Sequence, residues 1–190
     1  MLLVEPRARR WTRREYYEMA DRGWFAGQRV ELIAGEIVEM PAQRDQHASG
    51  VTLVDYALRA VFGKGLVIRI QSPMDLGEAS QPEPDVLVVR GSPRGIKAHP
   101  TTAVLIVEVS DTTLAYDRGR KASLYASKGI ADYWILNLVD GQLEIRRRPV
   151  ADKKQPLGYG YAELTILQPA DTASPLASRK AKIRVGDLLP

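Results

Sequence analysis

Residues 84–121 read PDVLVVRGSPRGIKAHPTTAVLIVEVSDTTLAYDRGRK. Val86–Val89 and Ala103–Val109 are short continuous apolar runs rich in Val and Ile, the pattern of strands buried on both faces. Each carries a carboxylate where an apolar residue is expected. Asp85 opens the first run directly after Pro84, and Glu108 sits between Val107 and Val109 in the second. A buried carboxylate is costly unless a cation, a metal or good donors meet it. Two such strands followed by a lysine, Lys121, suggest a divalent-metal site.

The residues after Glu108 extend this reading. Asp117 is a good N-cap and Gly129 a good residue just past a helix end, which predicts a helix over about 118–128. Arg118, Arg120 and Lys121 then fall in its first turn, where the helix dipole disfavours cations. Positive charge there makes sense if an anion binds, because free N–H groups and the dipole already favour phosphate. The plainer alternative is a solvated basic turn paired with Asp111 or Asp117.

The P-D pair at 84–85, the strand Glu within IVEVSDTT and the run YDRGRK…YASKGIADYWILN resemble the PD-(D/E)XK nuclease superfamily. Within it the chain is similar to the Uma-two family of restriction-endonuclease-like proteins, from WTRREYYEM through VELIAGEIVEM to the closing VGDLLP. The resemblance implies a single α/β domain over residues 1–190, with a mixed sheet flanked by helices in the restriction-endonuclease-like arrangement. It implies metal-dependent hydrolysis of phosphodiester bonds in nucleic acid, DNA first. Asp85 and Glu108 would hold Mg²⁺ or Mn²⁺ with Glu31, a Glu in the first hairpin, and with the Val109 carbonyl as a further ligand. The chain departs from the superfamily pattern two residues after Glu108, where Ser110 replaces the expected lysine. Lys121 would take that lysine's role, with Arg118 and Arg120 on a neighbouring phosphate. A homodimer is expected by analogy with nucleases that cut two strands. The rival class is a nucleic-acid-binding or assembly protein on a nuclease fold with little or no catalysis.

Composition bounds these readings. The chain has 190 residues, of which 45% are hydrophobic, enough for one sizeable domain. No apolar run approaches the roughly 20 residues a membrane span needs. MLLVEPRARRW has no apolar core of signal-peptide length, so a cytoplasmic protein is expected. No cysteine is present, which excludes disulfides and thiolate zinc sites and fits a reducing compartment. A net charge of +4 and a pI near 9.4 permit nucleic acid as a partner without demanding it.

Along the chain, residues 1–10 read as a basic arm. Thr12 and Glu15 form a capping box for a helix over about 13–22. Residues 29–33 and 36–40 alternate around Ala34-Gly35 as a hairpin. By itself Glu31 reads there as an ordinary outward strand residue. A second helix is expected over about 46–62, with His47 at its start as a cap or solvated residue. Further strands are expected at 66–71, around 74–76, at 132–138, 142–148 and 161–167, and at 182–185. Gln81 reads as a loop residue that is solvated or points at the site, His99 as a surface residue, and Arg146–Arg148 as a charged strand end with a DNA-backbone contact as the lesser alternative. Residues 168–181 read as a Pro/Ala/Ser linker to a short C-terminal strand.

Overall fold

A computed structural model describes residues 6–190. Its centre is a six-stranded mixed sheet in the order β3 (Leu66–Ile70), β4 (Val86–Arg90), β5 (Leu105–Ser110), β6 (Asp132–Asn137), β7 (Gln142–Ala151) and β8 (Tyr159–Leu167). All neighbours are antiparallel except β5 and β6, which run parallel. A parallel pair needs a crossover, and the helical segment from Leu114 to Ser127 supplies it.

Burial on both faces explains the continuous apolar runs. On β4 and β5, Val86, Val88, Leu105, Val107 and Val109 face one side, where they pack on Val51, Val54 and Leu58 of α2 (Asp45–Val61). Leu87, Val89 and Ile106 face the other, against Leu124 and Tyr125 of α4 (Ala122–Ser127). Strand alternation therefore puts Asp85 and Glu108 on the α4 side together. The register Val86↔Val107 brings them side by side.

The first hairpin pairs β1 (Val30–Ile33) with β2 (Glu36–Glu39) through Ala34 and Gly35. Both turn residues have positive φ, 51° and 78°, as a tight right-twisted hairpin requires. A bridge between Leu32 and Gln81 ties this hairpin to the segment that leads into β4. Helix α1 (Arg13–Asp21) begins with the expected capping box, Thr12 and Glu15 each satisfying the other's backbone N–H. Within the N-terminal arm, residues 1–5 lie outside the described residues, while Arg9 and Arg10 pair with Glu15 and Glu36.

Four expectations are corrected. The helix after β5 starts at Leu114, not Arg118, as α3 (Leu114–Tyr116) and runs through a π-turn, Asp117–Lys121, into α4. Asp117 is buried within it rather than capping it, because Ser110 and Thr113 hydroxyls satisfy its carboxylate. Around Met74–Leu76 there is no edge strand; both side chains are buried and their N–H groups bond Pro82 and Ser80 carbonyls across a loop. Arg146–Arg148 lies inside β7, covered by β8, with each guanidinium paired to Glu144, Asp132 or Glu163. Residues 168–181 are packed rather than linking. β9 (Thr172–Ala173) pairs with β10 (Ile183–Arg184), Ala173 is buried, and Asp132 accepts the Leu176 N–H. The final 3-10 turn, Val185–Leu188, packs Val185 and Leu188 into the α2 side of the core. Elsewhere the C-terminus of α4 ends as expected. Gly129 (φ 70°) donates to Ala126 and Ile130 to Tyr125, the paired bonds of a Schellman cap.

Candidate active site

Four elements converge on one buried polar cluster. Glu31 arrives from β1, Asp85 from the residue just before β4, Glu108 from β5, and Lys121 from the last position of the π-turn. All four are buried, at 2%, 7%, 2% and 2% exposure, which is far from the usual habit of charged residues. The Lys121 Nζ donates to Glu108 Oε1 at 3.1 Å and to Glu31 Oε1 at 3.2 Å. Tyr125 OH donates to the same Glu108 oxygen at 2.7 Å, and the Asp85 N–H reaches Glu108 Oε2 at 3.3 Å. Asp85 Oδ2 accepts from the Val109 N–H at 2.9 Å and faces His47 Nε2 at 3.1 Å.

The cluster lines a cavity of about 30 Å³, room for a small ion or water rather than a nucleotide. Besides the four, its walls include His47, Glu83, Asp111 and Asp117. Electrostatics set the charge states. Burial pushes the Glu108 carboxyl well above its ordinary value, and the charges of Asp85, Asp117 and Glu31 add to this against Lys121. Glu31 and Asp117 are also raised by burial, opposed by Lys121. Burial opposes the Lys121 ammonium, but the surrounding carboxylates Glu108, Glu31, Asp117 and Asp85 hold its proton firmly. Burial likewise opposes the Asp85 carboxylate, but the His47 bond and charge, Lys121 and the Val109 N–H keep it below its ordinary value.

Chemically, four buried carboxyls face one ammonium, and the Oε2 oxygen of Glu31 has no partner. An excess of hard oxygen donors with an orphaned buried oxygen fits a divalent cation such as Mg²⁺ or Mn²⁺. Among the described residues no three acidic or histidine side chains already stand in a coordination shell, since Lys121 lies between Glu31 and Glu108.

Asp85, Glu108, Lys121 and Glu31 are thus brought together, with Val109 adjacent through its N–H. Arg118 and Arg120 are not. Arg118 forms a fork with the buried Glu144 and pairs with Asp140, and Arg120 pairs with Glu36 at 2.7 Å. Both stand beyond the first turn of the helix and face carboxylates. Sequence reasoning missed Asp117, Glu83 and the buried placement of His47. Asp117 was hidden by a π-turn, whose extra residue per turn leaves no mark in hydrophobic period. For His47 only its position at the helix start beside a polar loop offered any signal.

A family model described as "Uma2: Putative restriction endonuclease" matches residues 13–181. Among solved structures, the crystal structure of "a putative nuclease belonging to DUF820" from Anabaena variabilis is similar, with a TM-score of 0.65 at 13% sequence identity. The likeness covers 84% of this chain and 88% of that one, and it establishes the shared fold. No curated protein matches the chain.

Proposed function

Because the chain belongs to the Uma2 family of restriction-endonuclease-like proteins, we propose that it is a metal-dependent endonuclease that hydrolyses phosphodiester bonds in DNA. The observation that carries this reading is the buried contact of Lys121 Nζ with Glu108, one strand away from Asp85. A structural core gains little from four buried carboxyls, since their desolvation cost exceeds what one ammonium returns.

Asp85, Glu108 and Glu31 are the carboxylates that would hold Mg²⁺ or Mn²⁺, with the Val109 carbonyl as a further oxygen donor. Such a cation supplies an acidified water and polarises phosphate oxygens. The chain's own residues do the rest. Lys121 Nζ keeps its proton and offers a compact positive charge to a phosphate oxygen or to the attacking water. Tyr125 OH keeps its proton too, because burial and Glu108 raise its pKa well above the ordinary value, so it orients Glu108 as a donor. Val109 N–H and His47 fix Asp85 Oδ2, while Gln71 Nε2 reaches Oδ1 at 3.4 Å. Two-strand cleavage would need two such sites, hence a homodimer. The absence of cysteine suits a reducing compartment such as the cytoplasm.

The test is a cleavage assay on plasmid and single-stranded substrates with Mg²⁺ or Mn²⁺. The parent should cut and Asp85→Ala should not. Lys121→Arg should bind DNA nearly as well as the parent and lose roughly 10²–10³ in rate, because a planar guanidinium cannot replace a point ammonium. Parent-level cleavage by Lys121→Arg removes Lys121 from catalysis. A parent that binds but never cuts, whatever the metal, favours a binding module on a nuclease fold.

A further inference from the structure

The cavity is strongly acidic, and a polyanionic strand must be held beside it by cations that are free to do so. Arg118 and Arg120 are committed to Glu144 and Glu36. Among the described residues, Arg29, Arg69 and Lys97 form no ion pair. Arg29 is exposed on the cavity wall. Arg69 and Lys97 line an open groove with His99 and Tyr17.

The groove and the cavity are tied through one bridge: Gln81 pairs with Leu32, the neighbour of Glu31 on β1. Gln81 lines the groove and Glu83, two residues on, lines the cavity. Tyr17 lines the groove, bonded to Gln81 and within 3.3 Å of His99 Nε2, and is 38% exposed. The groove's acidic residue, Asp75, is paired with Arg13, so its charge is already met.

We propose that this groove, through Arg69, Lys97, His99 and Tyr17, is the track along which the phosphodiester backbone of a nucleic-acid strand reaches the cavity, and that Arg29 meets the phosphate at the mouth. The inference rests on the nuclease reading of the cavity and adds to it the surface that binds the substrate. Unpaired cations, Arg29 and Lys97 exposed and Arg69 half-buried, suit backbone phosphates, which are recognised by charge without reference to base sequence.

The experiment compares the parent with an Arg69→Ala/Lys97→Ala double variant on duplex and single-stranded DNA over a salt series. An Arg179→Ala/Lys180→Ala variant, at two exposed positions, serves as control. Loss of two phosphate contacts should weaken binding roughly tenfold and lower the salt slope by about two. The loss should appear in KM rather than kcat, since these contacts hold ground and transition state alike. Mn²⁺ should raise the melting temperature of the double variant as much as that of the parent, which separates a lost track from a lost cavity. The control should bind like the parent. Unchanged affinity and slope in the double variant, or an equal loss in the control, overturns the track and leaves the nuclease reading standing. A parent with no affinity for either DNA overturns both.

Discussion

Arg118 shows how one residue's partner decides its role. Its guanidinium meets Glu144, which is 1% exposed and also bonded by Arg146 and Asn137. Burial works against the Glu144 carboxylate, yet the Arg118 and Arg146 bonds keep its pKa below the ordinary 4.5. A depressed carboxylate contributes stability that is present above its unfolded pKa and lost as pH falls through the folded value. Replacing Arg118 by Met should therefore lower stability at pH 7 by about 1–3 kcal/mol. The gap from the parent should hold above about pH 4.5 and close in more acid solution. Denaturant melts across pH measure this, and the DNA salt slope should not change. A lowered slope at full stability would return Arg118 to phosphate binding.

At the scale of elements, the helical crossover after β5 has two glycines with opposite demands. Gly119 lies in the π-turn without positive φ, and a Cβ there meets open space. Gly129 also faces open space, but its φ of 70° is the left-handed cap conformation. Gly119→Ala should stabilise by about 0.5–1 kcal/mol through reduced unfolded-state freedom. Gly129→Ala should destabilise by about 1 kcal/mol, because a Cβ is strained in the left-handed region. Urea unfolding of both variants checks the pair, and a shared sign would show that φ is not what separates them. The π-turn also serves the site: it places Asp117 and Lys121 on the cavity wall while leaving Arg118 and Arg120 on the outside.

For the whole molecule, the C-terminal segment closes one side of the sheet. Ala173, Ile183, Val185 and Leu188 join the cluster formed by α2 and the strands. Leu188 is 1% exposed, so Leu188→Ala should cost about 2–5 kcal/mol from lost burial and the cavity left behind. Thermal or urea unfolding would detect this. A cost below about 0.5 kcal/mol would instead show that the core does not depend on this segment.

Local chemistry was readable from residues 84–121 alone. Apolar runs with single carboxylates mark strands buried on both faces, and period-two alternation already puts Asp85 and Glu108 on chosen sides of their strands. The T-x-x-E cap, the Ala34-Gly35 turn and the Gly129 cap were equally legible, because each depends on residues within a few positions of one another. Whatever depends on distant partners was not. Arg118 and Arg120 look alike in sequence, as cations near a helix start, until Glu144 and Glu36 are placed opposite them. His47 looks like a solvated cap until β4 sets Asp85 beside it. The Pro/Ala/Ser composition of 168–181 resembles a linker until β10 returns to pair with β9. A polar side chain's role follows from what desolvates it and what bonds it, and for these residues both come from elements far away in the chain.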